Sequence, residues 1–154
     1  MSIEGLLEDT LITDFKRDPV LQLQTIRKHD YGGAVAGDDQ LTEPESTSVI
    51  VVTATDRGEF KMGSGIRNLN LEVQIRVNGD ADSFNGTLLD DLTDRVRSRL
   101  MPSPTAAVPF REAFLSNGSL KIYGITNQEL TQRTQEGFER IRTVPATFIA
   151  AQIA

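Results

Sequence analysis

Apolar positions along this chain follow two rhythms, one near 3.6 residues and one of two, and each marks a different element. Ile3, Leu6, Leu7, Leu11 and Phe15 recur at helical spacing behind Ser2, a suitable N-cap, with Glu4 in the first turn. Arg17, Asp18 and Pro19 end that helix, because proline disfavours helical backbone in the residue before it. The stretch from Val20 to Ile26 fits either a short strand or another helical turn. Val49, Ile50, Val51, Val52 and Thr53 form a β-branched run that predicts a strand covered on both faces. Leu69, Leu71, Val73, Ile75 and Val77 then alternate strictly with Asn70, Glu72, Gln74 and Arg76. That alternation predicts a strand with one face in the core and the other in water or against a partner.

A second helix, capped by Asp82 or Ser83, is predicted to run to about Leu100, where Pro102 and Pro104 stop it. Leu88, Leu89, Leu92, Val96 and Leu100 are its apolar stripe. Its acids Asp90, Asp91 and Asp94 precede Arg95 and Arg97, as the helix dipole favours. A short helix over 109–115, a turn at Asn117 and Gly118, and a strand over 120–125 follow. Residues 126–137 form a polar stretch, and residues 138–153 a long closing strand. Pro145 requires that strand to be an edge strand or to be bulged. Two glycine-rich loops are expected, at 28–46 and 55–66. The order helix, strand, strand, helix, strand, strand predicts an α+β fold. Its sheet is mostly antiparallel, with the N-terminal and central helices packed on one face. The 154 residues fit a single domain over 1–154.

Charge and composition narrow the functional classes. The net charge is −6, with 16 basic residues scattered among 22 acidic ones, which argues against a surface made to grip phosphate backbones. The absence of cysteine excludes thiol catalysis, disulfides and cysteine-based zinc sites. No apolar run reaches the roughly 18 residues that a membrane span needs. Residues 1–5 lack the basic start and apolar core of a secretory signal, so the chain is expected to be cytosolic when made. The sequons at Asn85 and Asn117 are then chance matches.

Candidate chemistry is sparse. His29, the one histidine, lies between Lys28 and Asp30 in a loop and reads as solvated. Asp80 and Asp82 resemble half of a cation loop but lack its further ligands, and a turn with a helix cap explains both. Gly63, Ser64 and Gly65 lie between two strands, so they form a flexible turn rather than a phosphate-cradling loop. Asp38, Asp39, Glu43 and Glu45 are solvated loop charges, and they could line a surface that faces a polyanion without holding it. Arg133, Arg140 and Arg142, with Lys121 and Arg76, would form a basic strip if their strands adjoin. No cofactor and no metal ligand set is expected, and the chain is not read as an enzyme.

The stretch 65–80 joins an Arg-led alternating strand, Arg67 to Val77, to the short acidic turn Asn78-Gly79-Asp80. Residues 88–96 then read Leu-Leu-Asp-Asp-Leu-Thr-Asp-Arg-Val. This combination resembles the tail terminator and tail-completion (neck) proteins of tailed bacteriophages. The layout is similar over nearly the whole chain and the sequence pattern over about a third of it. The extension at 127–137 and the proline in the last strand depart from that pattern. The resemblance implies a virion structural protein, a homo-hexameric ring that caps the tail tube and docks to the head connector. It would be assembled in the host cytoplasm, with genomic DNA passing through its lumen without specific binding. Another head–tail connector or tail-completion component is the alternative, and a small metal-dependent enzyme with its site in residues 28–46 is a remote one. On exposure, the candidate interface residues are Arg67, Arg76, Arg140, Arg142, Asp38 and Asp39, together with the two loops.

Overall fold

Ser2 starts the first helix as expected: its hydroxyl accepts the Gly5 N–H at 3.1 Å, and α1 runs over Ile3–Phe15. A computed structural model describes residues 2–28, 48–78, 88–100, 115–127, 132–136 and 139–153. The stretch from Val20 to Ile26, open on sequence grounds, divides into a 3-10 turn, Leu21–Leu23, and a strand β1, Thr25–Lys28. β2 spans Ser48–Glu59 and β3 spans Arg67–Asn78. Helix α2, Leu88–Leu100, follows, and then β4, Leu120–Asn127, β5, Gln132–Glu136, and β6, Glu139–Gln152. The predicted helix start at Asp82 or Ser83, the prolines at 102 and 104 and the segment 109–114 lie outside the described residues, as do 29–47.

One mixed sheet has the strand order β1-β2-β3-β6-β4, with β5 also paired to β6. All pairs are antiparallel except β1 with β2. The fold is α+β, with both helices against the sheet face that carries Ile50, Val52, Leu71, Val73, Ile75 and Phe148. Leu7, Leu11 and Phe15 from α1 and Leu92, Val96 and Leu100 from α2 are fully buried there. Each such side chain contributes about 1.5–3 kcal/mol on burial. β2 is covered on both faces from Ser48 to Val52, as its β-branched run predicts.

Three expectations change. Asp56, Arg57 and Gly58 belong to β2, where a bulge between Asp56 and Gly58 shifts the register, so the loop shrinks to 60–66. The polar stretch 126–137 contains strand β5, held by pairing from Gln132↔Thr143 to Glu136↔Glu139. β6 is neither an edge strand nor bulged at Pro145: its register against β3 passes unbroken through Leu71↔Ala146, Glu72↔Pro145 and Val73↔Val144. On the other side of β6, pairing with β4 ends at Ala146 and pairing with β5 begins at Thr143. Pro145 therefore lies where one neighbour gives way to the next, and its missing N–H costs no ladder bond there.

Candidate assembly interface

The pleat of β3 and β6 assigns each candidate arginine to a face, because successive side chains point to opposite sides. Arg142 lies opposite Ile75 and Arg140 opposite Val77, so both share the helix-covered face, while Arg76 lies opposite Ile141 on the other. Lys121, opposite Ala151, is on the Arg76 face but at the far end of β6. The predicted basic strip is therefore split: Arg133, opposite Arg142 on β5, shares the register of Arg140 and Arg142, whereas Arg76 and Lys121 belong to the other face.

Arg67, Arg142 and Arg76 all make contacts inside the subunit. Arg67 clamps the start of β3 to β2, with its NH2 at 2.9 Å from Asp56 Oδ2 and its NH1 at 3.8 Å from Glu59 Oε1. Burial draws the Asp56 carboxyl upward, but the Gly58 N–H and the Arg67 guanidinium outweigh it and hold its pKa below the usual carboxylate range. Arg142 reaches from β6 to α2, where its NH1 donates to Asp90 Oδ1 at 2.6 Å. Arg76, half-buried on the face away from the two described helices, donates to Gln74 Oε1 at 3.1 Å. Arg140 is half-buried. Asp38, Asp39, Glu43, Glu45, His29, Asp80 and Asp82 lie outside the described residues.

The face away from the helices is two-natured. Asn70 and Glu72 are exposed, and Gln74 and Arg76 half-buried, along the centre of β3. The neighbouring Val49, Val51 and Ile141 on that face are buried.

Several backbone donors along the sheet edges are taken by side chains. β1 pairs with β2 only as far as Val52, and just beyond it the buried Glu8 of α1 accepts the Ala54 N–H at 2.8 Å. The Asp56 carboxylate takes the next outward donor, the Gly58 N–H, at 2.9 Å. On β4, Ser116 Oγ accepts the Ile122 N–H at 2.9 Å and Asn117 Oδ1 accepts the Leu120 N–H at 3.0 Å. Occupied donors of this kind suppress the addition of a foreign strand. Asn117 also donates from Nδ2 to Thr10 Oγ1 at 3.0 Å, so the side chain of that sequon organises a turn against α1.

Gly63-Ser64-Gly65 lies in the β2–β3 turn, as expected, and hydrogen bonds frame that turn. The Phe60 N–H donates to Ile66 O at 2.7 Å, the Gly63 N–H to Glu59 Oε2 at 2.6 Å and the Ser64 N–H to Lys61 O at 3.0 Å. Gly63 and Gly65 supply the positive φ that the turn requires, at 77° and 74°. This frame holds Phe60 and Met62 in solvent, with 56% and 96% of their surfaces exposed. Reading the turn by its glycines passed over them; two large apolar residues inside a short polar turn were the signal.

No family model matches the chain, and no curated protein matches it. Among the described residues, no group of three or more His, Asp or Glu side chains is arranged to hold a metal ion. No helix among them is long and apolar enough to cross a membrane.

Proposed function

We propose that this chain is a virion structural protein, a tail terminator ring subunit that caps the tail tube of a tailed bacteriophage and joins the tail to the head connector. The carrying observation is the β3–α2 unit. The Arg-led alternating strand and the helix with the Leu-Asp-x-Leu-x-x-x-Val spacing, on which the resemblance rests, pack directly on each other. Strand alternation leaves Asn70 and Glu72 facing outward from the centre of the sheet, a surface that suits contact with neighbours better than conversion of a substrate. Edge donors taken by side chains favour side-chain interfaces, and a ring closes when a heterologous interface repeats by rotation. The net charge of −6 suits a lumen through which DNA passes without being held. No cofactor or turnover enters this reading.

Light scattering on the purified chain, alone and with tail-tube protein, tests it. A hexamer of the 17.0 kDa chain has a mass of about 100 kDa. A chain that stays monomeric alone and with both tail-tube and connector proteins refutes the proposal.

A further inference from the structure

We infer that the β2–β3 turn is a knob that inserts into a groove on α2 of a second copy of this chain. The inference rests on the ring reading and names the contact that would build the ring. Phe60, Lys61 and Met62 project from the turn, all exposed and held by the hydrogen bonds described above. An apolar side chain presented by a pre-ordered backbone loses little further freedom on docking, so its burial is converted efficiently into affinity.

The groove has the matching character. An open cleft of about 530 Å³ runs along α2, with the half-buried Val20 and Leu88 as its apolar surface and Asp91 and Asp94 as its lining acids. Asp94 is exposed, whereas the cleft's one cation, Arg95, pairs with Asp18 at 3.0 Å. The turn is locally basic within an acidic chain: between Asp56 and Arg67 three bases face two acids. Arg67 is engaged by Asp56, which leaves the exposed Arg57 and Lys61 to meet an acidic rim. An unbranched methionine adapts to an irregular apolar floor.

Within one subunit the turn lies far from the start of α2. The turn adjoins Arg67, opposite Ala150, whereas the start of α2 is tied through Asp90 to Arg142, opposite Ile75. Eight strand residues separate those levels, about 26 Å. Repeated head-to-tail between copies, such a contact is the heterologous kind that closes into a ring or propagates as a filament.

Sedimentation velocity over a concentration series tests the inference, with circular dichroism melts to verify folding. Met62→Asp, at an almost fully exposed position, is expected to weaken self-association at least tenfold. Lys61→Glu and Asp94→Lys should each weaken it, and the Lys61→Glu/Asp94→Lys double variant should restore it. If the wild type assembles and folded Met62→Asp assembles equally well, or the double variant is no better than the single ones, the inference falls and the ring reading stands. If the wild type is monomeric alone but binds tube or connector protein through Met62, the turn belongs to that partner and the inference falls by itself. A wild type that associates with neither itself nor those proteins overturns both.

Discussion

Replacing Glu8 by glutamine separates two effects that meet at one buried carboxylate. Glu8 is 4% exposed, and its Oε2 accepts the Ala54 N–H at 2.8 Å. Burial raises its pKa above the ordinary 4.5; the Ala54 hydrogen bond and Lys28 oppose that rise, and Asp9 and Glu4 add to it. A folded-state pKa above the unfolded value means that the native state binds the proton more tightly than the unfolded chain does. The stability due to this proton is therefore fully present below 4.5 and is lost as pH rises through the folded-state pKa. Glutamine keeps an acceptor in place without the charge. At pH 7 Glu8→Gln is expected to equal the wild type or exceed it by up to about 1 kcal/mol, an advantage that fades toward pH 4.5. Glu8→Ala takes the acceptor away and is expected to cost about 1–3 kcal/mol. In melting temperature that is about 2–4 °C per kcal/mol for a domain of this size. Urea denaturation of all three proteins at pH 5 and pH 7 measures both. A Glu8→Gln variant less stable than the wild type by more than about 1 kcal/mol at pH 7, with a deficit that grows with pH, refutes the reasoning.

Other contacts give equally direct outcomes. Asp18 accepts the Val20 N–H at 2.9 Å, the Leu21 N–H at 3.1 Å and Arg95 NH1 at 3.0 Å, so Asp18→Ala is expected to cost about 2 kcal/mol and Asp18→Asn about half that in urea denaturation. Equal losses would show that charge, not capping, dominates. Burial pushes the Asp18 carboxyl up, yet the Leu21 and Val20 N–H groups and Arg95 outweigh it and hold its pKa below the ordinary 3.8. Its contribution is present above 3.8 and lost as pH falls through the folded-state value, so acid denaturation should be blunted in Asp18→Asn. Arg99 pairs through Nε and NH2, both at 3.1 Å, with Asp14, whose side chain is 2% exposed, and Arg99→Ala is expected to cost about 3 kcal/mol. Arg142→Ala breaks a pair whose Asp90 is half-exposed and should cost below about 1 kcal/mol, so equal losses in these two variants would contradict the burial argument.

What sequence rhythm reveals depends on what holds each element. α1, β3 and the stripe of α2 are legible because apolar burial holds them, and burial writes a period of 3.6 or two. β5, Gln-Arg-Thr-Gln-Glu, is held by backbone pairing to β6 and writes no period at all. β1 is four residues long and parallel to β2, too short for alternation to decide. Asp56 and Gly58 carry turn chemistry, and a bulge uses that chemistry as readily as a loop does. The arginines are the instructive case. Arg142 shares parity with Val144, Ala146 and Phe148, all buried, so its position on the helix side was present in the sequence pattern. Exposure was inferred from charge alone, and pairing to Asp90 across the helix-covered face was the outcome instead.

In an assembly, the occupied edge donors would act as a tighter constraint than any single charge. A free strand edge would let copies join by backbone bonds that any strand can make, and such joining has little means of stopping at a ring. Here Glu8 occupies the Ala54 donor and Ser116 the Ile122 donor, one on each side of the sheet, and both come from elements packed outside it. Neither group adds to a hydrophobic core, and Glu8 carries a desolvation cost that raises its pKa. That cost is physically reasonable if contact between copies must be specified by side chains. Phe60 and Met62 are then the complementary feature: large apolar side chains left in solvent by a turn with three backbone or carboxylate hydrogen bonds and two more through the Ser64 hydroxyl. A fold that occupies part of its edge donors while presenting two apolar side chains outward would direct association to one end of the β2–β3 hairpin.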